Sequence, residues 1–385
     1  MVKITLRLIP CHDTIILHLL SLYHKILEMQ RGIFMKIFDM DFVTNFKHYT
    51  KDRIPEFDNL LKMLARQKPS RYTLFEFFLN DELEAHLTGI HDPADVVEYL
   101  TRRTEAFRIC GYDYVTLHPC DYTFNPIAGN HGKKSRSAND DTLITDRDSF
   151  AYFDWGNMED QDFSRLDKIA KILPGNMKMI IHSPGGVLEN VIALTGYDNL
   201  CFMLTDDPEL VQMLFDKVGQ TLLRFYEIAA VHPGVGAAIV NDDWGFFSQT
   251  MLSTNDMKKY VIPWHKRISD TIHSIGKPAI LHSCGRLDAV MPEVCSLFEG
   301  KHSYEDKILP VEDAYDKYGH QIAILGGIDL DFVCRKTPRE IYDRACNLLV
   351  KTSARGGYAL GSGNSIPDYV PNDNFLAMIA AAVVN

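Results

Sequence analysis

The stretch Pro278-Ala-Ile-Leu-His282-Ser-Cys284-Gly285-Arg286 places an imidazole and a thiol two positions apart at the end of an apolar run. The run reads as a short buried strand stopped by glycine, and side chains two apart on a strand point to the same face. One ion can therefore meet both, and a neutral imidazole with a thiolate is a donor pair that zinc favours. Taken in isolation, a core histidine beside a buried structural cysteine is the plainer reading. The rest of the chain decides between them.

Eight β-rich runs end in polar or turn residues: 72–79, 112–118, 178–182, 237–241, 278–282, 301–304, 321–326 and 358–361. Helical patterns lie between them. Asp92-Pro93 opens an amphipathic stretch that Gly111 ends, and Thr337-Pro338-Arg-Glu340 has the form of a capping box. Asp207-Pro208 opens another helix, with Leu210, Met213, Leu214, Val218, Leu222 and Phe225 at helical spacing. Strands alternating with helices imply parallel pairing through right-handed crossovers. Eight such units predict an α/β fold of the closed (β/α)8 TIM-barrel kind, one domain with an N-terminal helical extension. An open doubly wound sheet would carry a glycine-rich turn after its first strand, and Glu76-Phe-Phe-Leu-Asn80 has no glycine. The long polar segment from Cys120 to Arg165 reads as a loop or lid over the mouth.

Chemistry in such a barrel sits at the C-terminal strand ends. Those ends read, in order, Glu76, His118, His182, Asp242 with Asp243, His282 with Cys284, His302 with Glu305 and Asp306, Asp329, and Asn364. Any one of these acids alone would pass as a helix cap. A whole rim of acids, imidazoles and one thiol over apolar strand bodies points instead to a metal site in a polar cavity.

Composition limits the partners. The chain has 385 residues, 46% hydrophobic and 24% charged, with a formal net charge of -11. That is a globular composition, and the negative charge argues against nucleic acid or an anionic membrane surface as the main partner. The eight cysteines show no paired spacing, which fits reduced thiols in a cytoplasmic protein. No segment reaches the roughly 18 consecutive apolar residues of a membrane span. Lys3 and Arg7 precede a short apolar run with no small-residue cleavage site after it, so export is not expected. Met35-Lys-Ile-Phe-Asp is a more ordinary beginning than Met1; residues 1–34 are expected to be an over-called start or a dispensable extension, and 35–385 the barrel.

The motifs Asn241-Asp-Asp-Trp-Gly245, Leu281-His-Ser-Cys-Gly285, Lys301-His-Ser-Tyr-Glu-Asp306 and Leu325-Gly-Gly-Ile-Asp329 resemble those of the uroporphyrinogen decarboxylase superfamily. The tail Gly361-Ser-Gly-Asn-Ser-Ile366 followed by Val370-Pro-Asn-Asp-Asn374 is similar to that family's closing segment, and the resemblance runs from about residue 55 to the C-terminus. It implies one barrel with two chemistries. One is cofactor-free decarboxylation of porphyrinogen acetate arms; the other is zinc-dependent methyl transfer to or from a corrinoid (cobalamin) protein. Decarboxylases resemble one another in an N-terminal Arg-Gln-Ala-Gly-Arg segment, where this chain has Thr73-Leu-Phe-Glu-Phe-Phe-Leu79. A substrate with several carboxylates needs guanidinium forks, and Glu76 would repel it. His282-x-Cys284 matches the zinc motif of the methyltransferase branch, so the resemblance implies that branch.

Zinc on His282 and Cys284 is what this branch implies. Members that activate the thiol of coenzyme M usually add a cysteine near the last strand, where this chain has Gly361-Ser-Gly-Asn364. A different third ligand is expected, Glu76 foremost, with Asp242, Asp243, His302 or water as the other choices. Fewer thiolates leave zinc more electrophilic, which suits polarising a methoxy or amine leaving group. The expected reaction moves a methyl group between a methoxy compound or methylamine and a partner corrinoid protein. Asp242 and Asp243 are expected to orient substrate or supply a proton, and Trp244, His182, His302, Asp329 and Asn364 to bind it. Phe75, Phe77, Tyr122, Phe124, Trp244 and Phe246 would accept a methoxylated ring or quaternary amine at the mouth. Two rivals stand beside this. One is decarboxylation with Asp242 stabilising a protonated pyrrole; the other is a catalytically silent barrel that binds tetrapyrroles or the corrinoid partner.

Overall fold

A computed structural model describes residues 42–124, 139 and 142–384. The expected extension at 1–34 lies outside the described residues, as does part of the expected lid. Eight strands appear where the sequence places them: β1 (Thr73–Leu74), β2 (Tyr114–Leu117), β3 (Lys178–His182), β4 (Val235–Asn241), β5 (Ala279–His282), β6 (Gly300–His302), β7 (Ala323–Leu325) and β8 (Tyr358–Leu360). All pairing is parallel, in the order β1-β8-β7-β6-β5-β4-β3-β2. Consecutive strands are neighbours and the last returns to the first, which is the (β/α)8 barrel. Strands β2, β5, β6, β7 and β8 are buried along their whole length; except in β6, which buries Lys301 and His302, they read as apolar runs rather than alternating ones.

The seam between β1 and β2 is closed by a side chain. No backbone ladder joins these two strands among the described residues. Instead the buried Tyr114 hydroxyl accepts the Glu76 N–H at 2.7 Å and donates to the Glu76 carbonyl at 2.8 Å. One phenol thereby satisfies both backbone groups that a ladder would have paired.

The helices follow their start signals. Pro208–Ala229 begins at Asp207, whose carboxylate accepts the Leu210 N–H at 3.1 Å, and buries Leu210, Leu214, Val218, Leu222 and Phe225. Met213 falls outside that stripe and is 40% exposed. The helix Val96–Cys110 ends at Gly111 as expected, but its cap is Asp95 rather than Asp92; Asp95 accepts the N–H groups of Val97 and Glu98. Below the barrel, Glu56 pairs with Asn176 just ahead of β3. The helix Asp58–Leu64 follows and buries Asn59, Leu60, Met63 and Leu64 at the end opposite the rim. The seven cysteines of the described residues are free.

Candidate metal centre

Strand register assembles the site. Asn241 lies opposite His282, and His282 opposite His302, so β4, β5 and β6 end at one level. There Asp243, His282 and Cys284 bring one ligand atom each within 4.8 Å of one another, the only such group among the described residues. The Cys284 N–H donates to Asp243 Oδ1 at 2.8 Å, which ties the acid to the thiol residue. Cys284 Sγ receives the Asn364 Nδ2–H at 3.3 Å and lies 3.4 Å from Ser303 Oγ. Ser303 holds a left-handed backbone at φ 101°, and its hydroxyl donates to the Gly363 carbonyl at 2.6 Å. A non-glycine residue kept in that region is backbone strain stored at the rim.

The electrostatics suit a bound cation. Burial pushes the Cys284 thiol up to about 12, and the neighbouring Asp243 adds to the effect. Burial also raises Asp243. His282 is driven well below the ordinary imidazole value by burial, then by His302 and Lys301, and is therefore neutral. A cation bound among these groups would favour the thiolate and carboxylate that burial disfavours. Lys301 supplies part of that charge from below. Its buried ammonium donates to the Ser303 carbonyl at 2.6 Å and the Ser283 carbonyl at 3.2 Å, with the Tyr304 ring 4.2 Å away.

Several residues expected at the site do other work. Glu76 is fully buried; its Oε1 accepts the Ser362 N–H at 2.5 Å and its Oε2 the Ser362 hydroxyl at 2.8 Å. It is not in the ligand cluster, because β1 pairs with β8 and stands four strands from β5. The acid that lies in that cluster is Asp243, one of the other choices for the third position. Asp242, expected as catalytic, accepts from Leu188 N (3.0 Å), Glu189 N (2.9 Å), Trp244 Nε1 (2.9 Å) and His265 Nε2 (2.7 Å). It caps the helix Val187–Thr195 from outside, a carboxylate at a helix N-terminus, and its four donors leave it no role toward the rim. A Cβ on Gly186 would fall 2.1 Å from Asp242 Cβ, so only glycine lets this helix dock there.

Trp244, expected to bind substrate, is fully buried with its indole N–H on Asp242 and its ring edge-on to His265. Phe75 and Phe124 are likewise core, whereas Phe246 is 42% exposed. His302 stands buried behind His282 rather than at the surface. Asp329 caps the helix Leu330–Arg335 and accepts the Asp306 N–H at 2.9 Å, so it is spent on structure. Asn364 does reach the site, through the sulfur.

His182 reaches a cavity next door. Its ring meets His118 at 5.3 Å and Phe77 at 5.0 Å between centroids, and Phe77 meets His282 at 4.7 Å. Burial pushes His182 down to about 3 and lowers His118 as well, so both imidazoles are neutral. A cavity of about 510 Å³ opens beside them, lined also by Arg103, Arg165, Tyr99 and Leu117. Two groups escaped the sequence reading. Arg103 sits inside the helix Val96–Cys110, away from any strand end, yet lines this cavity. Glu189 reads as a routine capping residue, since it accepts the Gly186 N–H at 2.9 Å, yet burial and then the charges of Asp242 and Asp243 raise it to about 8.

A closed parallel barrel with sulfur, nitrogen and oxygen donors at its C-terminal rim belongs to the class of (β/α)8 proteins whose chemistry is built on strand ends. The sequence model of the family described as uroporphyrinogen decarboxylase (URO-D) matches residues 169–383, more than half of the 385, and the chain belongs to that family. The uroporphyrinogen decarboxylase of Carboxydothermus hydrogenoformans is 24% identical over 45% of this chain and 47% of its own length. That of Anaeromyxobacter dehalogenans is 26% identical over 48% and 51%, and that of Citrifermentans bemidjiense 27% over 46% and 50%. The chain spans about half the length of the curated relatives it matches. Among solved structures, a methyltransferase from Methanosarcina mazei superposes with a TM-score of 0.62 at 16% identity, covering 84% of this chain and 97% of that one. That likeness is one of fold. No helix among the described residues is long and apolar enough to cross a membrane.

Proposed function

We propose that this protein is a zinc-dependent methyltransferase that moves a methyl group between a methylated small molecule, a methoxy compound or a methylamine, and a corrinoid protein. The observation that carries this reading is the gathering of Asp243, His282 and Cys284 at one point of the rim. A carboxylate, a neutral imidazole and one sulfur, with a fourth position left to water or substrate, is the donor set of a catalytic zinc. When bound there, zinc would supply Lewis-acid polarisation of the departing oxygen or nitrogen. A single sulfur ligand keeps the ion electrophilic enough for that task.

The chain's own residues do the rest. Asn364 donates to the sulfur, and Cys284 N–H holds one oxygen of Asp243 so that the other is free to bind. Glu189, packed against Asp242 and Asp243 and raised by burial and then by their charges, is the acid assigned to give a proton to the leaving group. The cavity beside His118 and His182 is the place for the small molecule, and the Phe77 ring, in contact with both His182 and His282, links that cavity to the metal residues. The barrel shared with the Methanosarcina mazei methyltransferase supports this reading at the level of fold.

Decarboxylation of a tetrapyrrole is the second reading. The curated relatives carry that name, and Arg103 with Arg165 puts two guanidiniums in the cavity. The discriminating experiment is metal analysis of the purified full chain, followed by methyl transfer from a panel of methoxy compounds and methylamines to a reduced corrinoid protein. About one zinc per chain with transfer is the expected result. A metal-free chain that decarboxylates uroporphyrinogen would replace the proposal with the second reading, and a metal-free chain with neither activity would leave a binding barrel.

A further inference from the structure

We infer that His302 is a positioning residue that fixes the tautomer of His282 and thereby decides which of its ring nitrogens is free to bind a metal. The purpose of this device rests on the metal reading above; its geometry does not. His302 Nε2 lies 3.1 Å from the Ser362 carbonyl oxygen. A carbonyl only accepts, so that nitrogen carries a proton. His302 is fully buried, and its ring nitrogens meet only His282 and the Ser362 carbonyl, with no carboxylate to balance a second proton, so it holds one ring proton and its Nδ1 is a bare lone pair. His282 Nδ1 lies 2.8 Å from this lone pair. His282 must then carry its own proton at Nδ1, which leaves Nε2 bare. An outer hydrogen bond that selects the tautomer of a ligating imidazole is a recurrent device of metal sites.

The reverse assignment fails at the same contact. If His302 Nδ1–H donated to His282, the bare His302 Nε2 would face the Ser362 carbonyl, two acceptors 3.1 Å apart in a dry interior. The carbonyl cannot turn away. Ser362 is held by its N–H and hydroxyl on Glu76, and its carbonyl also receives the Gly327 N–H at 2.7 Å. The Gly-Gly pair after β7 makes room for the contact. A Cβ on Gly326, which has φ +64°, would fall 2.2 Å from the Ser362 oxygen and 2.8 Å from His302 Nε2. Phe75 packs edge-on against the His302 ring at 5.0 Å and completes its enclosure.

The test uses the full chain labelled with 15N-histidine, metal-free, with long-range 1H–15N spectra assigned through His282→Gln. The wild type should show His282 protonated at Nδ1. His302→Leu removes the acceptor, whereas His302→Asn keeps an oxygen near the position of Nδ1. The Asn variant should retain the Nδ1–H tautomer and the Leu variant should lose it. In chelator competition, zinc affinity should fall roughly 10–100-fold in His302→Leu and stay within about threefold of wild type in His302→Asn. An Nε2–H tautomer at His282 in the wild type overturns the assignment, and that measurement needs no variant to fold. So does a folded His302→Leu that keeps the wild-type tautomer. A wild type that holds the assigned tautomer but takes up no zinc would instead overturn the metal reading and leave the positioning of His282 standing.

Discussion

The Cys284 backbone N–H donates to the Asp243 carboxylate at 2.8 Å, across the gap between two neighbouring strand ends. The register explains why. Asn241 pairs with His282, and counting two residues on along both chains sets Asp243 beside Cys284. The acid and the thiol thus meet through the same ladder that shapes the barrel, and His282 joins them from the last paired position.

Cys284→Ser should give a folded, zinc-free, inactive protein. Serine is nearly isosteric, and burying its hydroxyl costs about 1–2 kcal/mol where a structural cysteine is replaced. A neutral hydroxyl is a poor zinc donor, so a ligand position does not tolerate the change. Cys295, half-buried on the helix Met291–Leu297, is the control and should keep full metal content as Cys295→Ser. Equal zinc in wild type and Cys284→Ser would return His282 and Cys284 to the core.

The adjacent acids should separate cleanly. Asp243→Asn keeps an oxygen for the Cys284 N–H but removes the charge, and should lower zinc affinity at least about tenfold with little loss of stability. Asp242→Asn turns amide hydrogens toward groups that already donate, and should cost on the order of 2–4 kcal/mol in urea unfolding. Its zinc per folded chain should not change. The opposite pattern would exchange the two roles.

Much of this was legible in the chain. Eight strands, their parallel order and the polar rim follow from apolar runs ended by polar residues, because buried parallel strands leave that signature. The His-x-Cys pair follows from the two-residue period of a strand. What the sequence does not carry is which rim residues face one another across strands. Glu76 and Asp243 are both acids at strand ends, and only the strand order puts one beside β5 and the other four strands away. Asp242 and Trp244 misled for a related reason. Their polar groups satisfy each other and a helix N-terminus inside the wall, which one-dimensional spacing does not distinguish from a site.

Arg165→Met should weaken substrate binding without touching metal or fold. Arg165 lines the cavity, and its ion partner Asp121 is 84% exposed, so that pair contributes little. Stability should therefore stay within about 0.5 kcal/mol. A rise in KM for an anionic substrate at unchanged zinc content is expected. Unchanged KM across neutral and anionic substrates would place the small molecule elsewhere.

Glu76→Gln should alter how stability depends on pH while leaving zinc alone. Burial holds the Glu76 carboxyl at about 8, against roughly 4.3 in an unfolded chain. Between those values the folded protein keeps a proton that the unfolded chain has lost. The unfolded state binds fewer protons, so stability falls as pH rises through the window. It is fully present below about 4 and gone once pH passes the folded value. Glu189 at about 8 and Glu84 at about 7 act with the same sign, so one substitution removes only part of the slope. Glutamine mimics the protonated acid, its carbonyl accepting the Ser362 N–H and its amide facing the Ser362 hydroxyl. The variant should match wild type near pH 5 and exceed it by on the order of 2 kcal/mol above pH 8.5, measured by chemical unfolding across that range. An unchanged slope would mean that Glu76 is ionised in the folded protein. Loss of zinc in the same variant would restore Glu76 as a ligand in place of Asp243.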